Sequence, residues 1–287
     1  MSGSNLEHWS VAVNGVRLHS VVAGDGPLVL LLHGFPDFWY GWRKQIPALA
    51  EAGFRVVAPD LRGYNLSEKP KGVRSYALRT LASDIAELVT ASGAERAAVV
   101  GHDWGGGIAW AFAMAHPEKL SRLAILNAPH PERLLRALRT PRQLAKSWYM
   151  FFFQLRGLPE RFLRAGGYRR LLQPMLDEAR PGAFTDEDLA RYREAYDQPG
   201  ALSAMLAYYR AMFLRGVRVP LRPVEAPTMV VWGERDIHIG RELATPRADL
   251  VPDARVEFLP DASHWVQADE PDRVAALLVD HLRPLRA

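Results

Sequence analysis

The chain has 287 residues, 48% of them hydrophobic and 24% charged, with a formal net charge of +4 and no cysteine. That length is long for one simple domain and short for two, so one core with an inserted subdomain fits best. The arginines are spread out, with no dense basic run carrying interleaved aromatics, which argues against a nucleic-acid partner; the lack of cysteine excludes disulfides, thiolate metal sites and a thiol nucleophile, and suits a reducing cytoplasm.

Met1-Ser2-Gly3-Ser4-Asn5 has no basic patch leading into an apolar stretch, so no secretory leader is expected. From His8 to Ala23 apolar and polar residues alternate around Asn14-Gly15, the signal for a hairpin of antiparallel strands. After Gly24-Asp25-Gly26-Pro27 the pattern changes to continuous apolar strands separated by helices. Leu28–Leu32 reads as a buried strand, Trp39–Glu51 as a helix and Phe54–Ala58 as the next strand. A helix over Ala77–Ala91 puts Leu78, Leu81, Ile85, Leu88 and Val89 on one face. Arg96–Val100 is a strand, Ile108–His116 a helix and Leu120–Leu126 a strand. From Pro131 to about Pro223 the chain is rich in Arg, Leu, Tyr and Phe at helical spacing, with no convincing strand. Strands return at Thr228–Trp232 and Arg255–Leu259, and an amphipathic helix runs from Pro271.

Strands buried on both faces and alternating with helices give an α/β fold with a mostly parallel central sheet. The expected organisation is a core of residues 1–129 and 225–287, with residues 130–224 inserted as a helical cap. Such sheets bind ligands at the carboxyl ends of their strands, so the cap would roof the site. The longest apolar runs, Leu28–Leu32 and Trp148–Phe153, fall far short of the roughly 20 residues that cross a bilayer, and no membrane insertion is expected.

The chemistry centres on Gly101-His102-Asp103-Trp104-Gly105-Gly106, a small–x–nucleophile–x–small turn between strand and helix. A carboxylate here attacks sp3 carbon bearing a leaving group and forms an alkyl ester of the enzyme; at acyl carbon it would give an anhydride. The ester needs water and a general base. His264, in Pro260-Asp261-Ala262-Ser263-His264-Trp265 after the last strand, reaches the same sheet edge. Asp236, just past the strand Thr228–Trp232, suits the acid that fixes the tautomer of His264. The end of Leu120–Leu126 holds Asn127, which cannot be that acid. An oxyanion formed during hydrolysis needs two backbone N–H donors, Trp104 and, from His33-Gly34-Phe35-Pro36, Phe35. His33 is expected to bond backbone and His102 to point away from Asp103, while His8, His19, His130, His238 and His281 have no constellation around them.

With those residues in place, the sequence resembles an α/β-hydrolase fold enzyme of the epoxide hydrolase family. The resemblance rests on His33-Gly34-Phe35-Pro36, Gly101 to Gly106, Asp236 and Ser263-His264-Trp265. It implies that two cap tyrosines bind the epoxide oxygen and donate a proton as the ring opens. Tyr209, in Tyr208-Tyr209-Arg210, and Tyr149, in Trp148-Tyr149, match best, with Tyr208 as the fallback for Tyr209. It also implies that Phe35, Trp104, Tyr149, Tyr209 and Trp265 line the substrate site, that the substrate is a small lipophilic epoxide, and that no cofactor or metal takes part. Dehalogenases share the Asp nucleophile and are the rival reading. Haloalkane dehalogenases usually carry a polar residue where Phe35 stands. Fluoroacetate dehalogenases carry arginines at the positions of Trp104 and Gly107, and their acid at that of Asn127. Monomer and homodimer both stay open.

Overall fold

Asn14 and Gly15 both take left-handed backbone, φ 46° and 73°, the primed turn whose twist matches paired strands. They join β1 (Glu7–Val13) to β2 (Val16–Ala23), with Val13 opposite Val16. The computed structural model describes residues 6–214 and 219–286. Met1 to Asn5, read above for a leader, residues 215–218 of the expected cap and Ala287 lie outside the described residues.

β3 (Leu28–Leu32), β4 (Arg55–Pro59), β5 (Ala97–His102), β6 (Leu120–Leu126), β7 (Thr228–Gly233) and β8 (Ala254–Leu259) complete one sheet of order β1-β2-β4-β3-β5-β6-β7-β8. β2 runs antiparallel to both neighbours, and β4, β3, β5, β6, β7 and β8 are mutually parallel. Every residue of β3, β5 and β7 is buried, as their unbroken apolar runs require of strands covered on both faces.

The helix expected over Trp39–Glu51 forms in two pieces, a 3-10 turn at Trp39–Trp42 and α1 (Gln45–Glu51). Pro47 has no N–H, and its ring excludes a helical carbonyl at Arg43, so the helix begins beside it. α2 (Leu78–Ala91) agrees with its periodicity. α3 (Trp104–Ala115) starts four residues before the expected Ile108. Trp104-Gly105-Gly106-Gly107 reads as a turn because glycine is a poor helix former. Here the crossing of β3 and α3 leaves no room for side chains. A Cβ on Gly105 would overlap Leu32 O and lie 2.5 Å from His33 O.

Between β6 and β7 the chain makes α4 (Pro131–Ala137), α5 (Pro141–Lys146), α6 (Trp148–Phe152), α7 (Leu158–Arg164), α8 (Arg169–Glu178), α9 (Asp186–Asp197) and α10 (Ala201–Ala211). Buried polar contacts tie this insertion to the sheet loops. Tyr208 donates to Arg62 O at 2.6 Å, Tyr192 to Asp37 Oδ1 at 2.8 Å, and Arg43 pairs with Asp188 at 3.0 Å. After β8 come α11 (Val266–Asp269) and α12 (Pro271–Leu282), the latter packed on α1. Among the described residues no helix is long and apolar enough to cross a membrane.

The glycines of α3 separate backbone need from helix propensity. Gly105→Ala should cost about 2–3 kcal/mol or more by overpacking. Gly107→Ala, with nothing within 4 Å of its Cβ, should gain about 0.5–1 kcal/mol of helix propensity. Urea denaturation midpoints of the two variants, read against the parent, check both signs.

Candidate active site

Loops leave the carboxyl edge of the sheet at β3, β5, β6, β7 and β8, which lie side by side, and each brings one polar group to the same place. Asp103, between β5 and α3, adopts φ 49° and ψ −117°, a conformation that costs about 1–3 kcal/mol for a residue with a side chain. The turn is so close to its neighbours that a Cβ on Gly101 would lie 2.6 Å from Gly105 C, and one on Gly34 2.5 Å from Asp103 Cβ. That tightness lifts the carboxylate out of the backbone and toward the cavity.

Two backbone donors flank Asp103. Phe35 N–H donates to Oδ1 at 2.7 Å. Trp104 is the first residue of α3, and its N–H is one of those a helix start leaves without an intrahelical acceptor. On the other side, His264 Nε2 lies 3.6 Å from Oδ2, and His264 Nδ1 lies 2.7 Å from Asp236 Oδ2. Asp236 is itself fully engaged. Its Oδ1 accepts from the His238 and Ile239 N–H groups, each at 2.8 Å, and its Oδ2 accepts from Asn127 Nδ2 at 2.7 Å.

The charges follow from these contacts. Burial opposes ionisation of Asp236, but the charge and hydrogen bond of His264, with Asn127 and the Ile239 N–H, take it down to about 2. Burial also opposes ionisation of Asp103, and there the contact with His264 outweighs it and holds the carboxyl below its usual range. His264 is the reverse case: burial disfavours the imidazolium, yet Asp236 first and then Asp103 raise it well above an ordinary imidazole. His102, pushed by burial down to about 4, points away from Asp103 with Nε2 2.9 Å from His264 O. His33, also lowered by burial to about 4, bonds Gly34 O and the Leu61 N–H. Both stay neutral and structural.

Above Asp103 lies a cavity of about 760 Å³. Phe35, Trp265, Tyr149 and Tyr209 line it together with Asp103 and His264. The Tyr209 ring lies 5.9 Å from that of Tyr149 and 5.2 Å from that of Phe35. Neither phenol donates to a protein acceptor among the described residues, though the Trp104 indole N–H reaches the Tyr209 hydroxyl; Tyr76, Tyr168, Tyr192 and Tyr208 all donate to protein acceptors. Tyr208 is therefore committed elsewhere. Burial, with the charge of Asp103 among the further causes, pushes both cavity phenols above their usual range, so they are protonated. The Trp104 indole, expected at the substrate site, does not line the cavity; it packs edge-on against Tyr208 and Tyr209. Its N–H reaches the Tyr209 hydroxyl, so the ring meets the site from behind that phenol.

Several residues that serve this site have no sequence signal of their own. Asn127, dismissed above as an acid, positions Asp236. Asp269 accepts from Ser263 N–H at 2.7 Å and Ser263 Oγ at 2.6 Å, holding the turn that carries His264. Arg210 donates to Phe153 O at 2.8 Å, Leu155 O at 2.6 Å and Glu160 Oε1 at 2.8 Å. Gln154 Nε2 reaches Tyr209 O at 3.1 Å. Together these lock the helix of Tyr149 to that of Tyr209. His238 corrects the reading that it has no constellation: it lines the cavity, with Nε2 2.8 Å from buried Glu178 and its ring 5.4 Å from that of His264. His19 likewise has one, Asp60 at 2.7 Å and His8 at 2.8 Å, but neither His19 nor Asp60 lines the cavity. Among the described residues no group of three or more His, Cys, Asp or Glu is arranged to hold a metal ion.

A family model described as alpha/beta hydrolase fold matches residues 27–271. The AB hydrolase superfamily protein YfhM of Bacillus subtilis is 44% identical over 276 residues, covering 95% of this chain and 96% of that protein. Epoxide hydrolase 4 of Mus musculus is 39% identical over 276 residues, 92% of this chain and 76% of that protein. Among solved structures, an epoxide hydrolase from Bacillus megaterium in complex with an inhibitor aligns with a TM-score of 0.88 at 35% identity, covering 96% of this chain and 100% of that one. The chain belongs to the α/β-hydrolase fold family, in the branch that contains the epoxide hydrolases.

Proposed function

We propose that the protein hydrolyses lipophilic epoxides to vicinal diols through an alkyl ester on Asp103. What carries the reading is one juxtaposition: across an aromatic cavity an ionised carboxylate faces two protonated phenols, neither of which donates to a protein acceptor among the described residues. Opening a strained ether leaves an alkoxide attached to the substrate, a strong base that needs a proton at once, and a phenol gives one without being ionised at neutral pH. A halide leaving group needs no proton. Dehalogenation, the rival use of an Asp nucleophile, has no relative among those described above.

In the first step Asp103 Oδ2 bonds to an epoxide carbon, the ring C–O bond breaks, and Tyr149 or Tyr209 protonates the oxygen. Oδ1, held by Phe35 N–H, becomes the ester carbonyl oxygen. Bond formation removes the negative charge of Asp103, and with it part of what keeps the phenols weakly acidic and His264 protonated. The imidazolium proton passes to the phenolate, which restores the phenol and leaves His264, held by Asp236, neutral and able to act as base. Water loses a proton to Nε2 and attacks Cγ, while the Phe35 and Trp104 N–H groups receive the oxyanion, an interaction whose loss typically costs about 10²–10³ in rate. Collapse breaks the bond from Cγ to Oδ2, and the departing alkoxide takes the proton of the new carboxylic acid, so Oδ2 leaves in the diol and the water oxygen stays on ionised Asp103. The imidazolium formed from water is the starting state of His264 again. The reading places the enzyme in the cytoplasm, with residues 130–224 as the cap over residues 1–129 and 225–287.

His264→Gln should consume about one epoxide per protein and stop at the ester, visible as a mass increment equal to the substrate, while Asp103→Ala should make neither ester nor diol. In a single turnover in heavy-oxygen water the parent should release unlabelled diol and keep the label on Asp103. Labelled diol from that turnover would sink the covalent route. Tyr149→Phe and Tyr209→Phe keep the rings and remove one proton donor each. Each should lower ester formation by about tenfold to a hundredfold, and the double variant by about 10³ or more; an unaffected double variant would assign the proton to another group.

The pH dependence has a definite sign. Asp103 must be ionised to attack and titrates below ordinary carboxylates, whereas His264 must be neutral to take the proton of water. Lowering the pH from about 8 to about 5 should therefore stall hydrolysis before alkylation, and the fraction of protein trapped as ester on rapid quenching should rise. A flat fraction across that range would rule His264 out as the base.

A further inference from the structure

Residues 131–170 carry ten Lys and Arg against two Asp and Glu, a net of +8 in a chain whose total is +4. The remaining 247 residues are therefore net −4, and the cationic charge of the protein is concentrated in α4 to the start of α8. Arg139, Arg156, Arg161 and Arg164 are exposed and have no carboxylate partner among the described residues. The same stretch is unusually apolar at its surface. Leu144, Trp148, Phe151, Leu155, Leu158 and Phe162 are 37–62% exposed, and they make up six of the thirteen large exposed hydrophobics of the described chain.

These two properties meet at the entrance of the cavity. Trp148 packs on Phe152, Phe152 on Phe162, and the Arg170 guanidinium lies 4.4 Å from the Phe162 ring centre. Lys146, Trp148, Phe152, Phe162 and Arg170 all line the cavity, and Trp148, Phe162 and Arg170 are also exposed, so this rim is where the cavity opens. Aromatic and leucine side chains standing out among arginines and lysines suit a surface that is anionic above and hydrocarbon below. A second copy of the chain would bring +8 against +8. Leucines such as Leu155 and Leu158 offer nothing to stack on a base.

We infer that the α5–α7 face docks on anionic lipid surfaces and presses the cavity mouth against the bilayer, where lipophilic epoxides partition. Docking stands on charge and exposure alone; delivery of substrate also rests on the epoxide hydrolase reading. No segment spans the membrane in this arrangement. Trp148, Phe151, Leu155 and Leu158 enter the headgroup boundary while the arginines meet the lipid charge.

The test is co-sedimentation with phosphatidylcholine vesicles containing about 30 mol% phosphatidylglycerol, against phosphatidylcholine alone, at about 0.1 M and about 0.5 M salt. Binding should be about tenfold or more tighter to the anionic vesicles and weaken at the higher salt. Phe151→Ser/Leu155→Ser/Leu158→Ser alters side chains that do not line the cavity. It should lose about tenfold in vesicle affinity while keeping turnover of a water-soluble epoxide. Acyl-chain bromination should quench fluorescence in the parent and much less in Trp148→Phe, because Trp148 is the most exposed tryptophan. The inference is overturned by no binding to anionic vesicles, or by binding that neither the triple variant nor bromination reports. A dimer in sedimentation velocity that the triple variant dissolves would assign the face to a second copy and overturn it equally. Diol formation from the water-soluble epoxide without vesicles is scored apart: vesicle binding with no diol removes the enzymatic reading alone, and diol with no vesicle binding removes docking alone.

Discussion

A single negative charge, that of Asp103, is the constraint around which the rest is built. It is held in low dielectric on a strained turn, where a carboxylate is costly unless donors face it. The donors present are Phe35 N–H, the start of α3 and His264. Each is supplied by a different strand end, so the sheet order brings β3, β5 and β8 to one edge before any chemistry begins. The same charge adds to burial in raising the phenols opposite, and to Asp236 in raising the imidazole beside it. In the proposed reaction, losing that charge to an ester would lower the two phenols and the imidazole together. No moving part is required for that switch, only proximity.

The two tyrosines are held over this charge by less conspicuous contacts. α6 is a five-residue helix and holds its place poorly by itself. Arg210, with its Nε and Nη2 on carbonyls of the chain following Tyr149, joins it to α10, and Gln154 closes the loop back to Tyr209 O. Arginine suits this work because its planar fork satisfies several acceptors at once and cannot lose its charge.

What was legible in the sequence is what local chemistry dictates. Asn14-Gly15 specifies a turn, Leu120–Leu126 is the strand to the residue, and Gly101 to Gly106 marks a turn too tight for side chains. Asp236 and His264 were readable because each follows a recognisable strand. Groups that act through space were not. Glu178 and His238 are 60 residues apart, and nothing in either neighbourhood announces a pairing across the cavity wall. The start of α3 was misplaced because propensity counts glycines against a helix, while packing against Leu32 and His33 demanded them. Asn127 was judged by the charge it lacks and not by the hydrogen bonds it makes: Nδ2 to Asp236, and Oδ1 from the Gly233 N–H at 2.9 Å.

Asp269 has a consequence for how roof and floor behave as one body. One of its oxygens takes both donors of Ser263, next to His264; the other takes the N–H of Arg180, two residues past α8, at 2.7 Å. A carboxylate divided in this way is a hinge pin common to both halves. A displacement of α8 would therefore pull, through this one carboxylate, on the turn that carries His264.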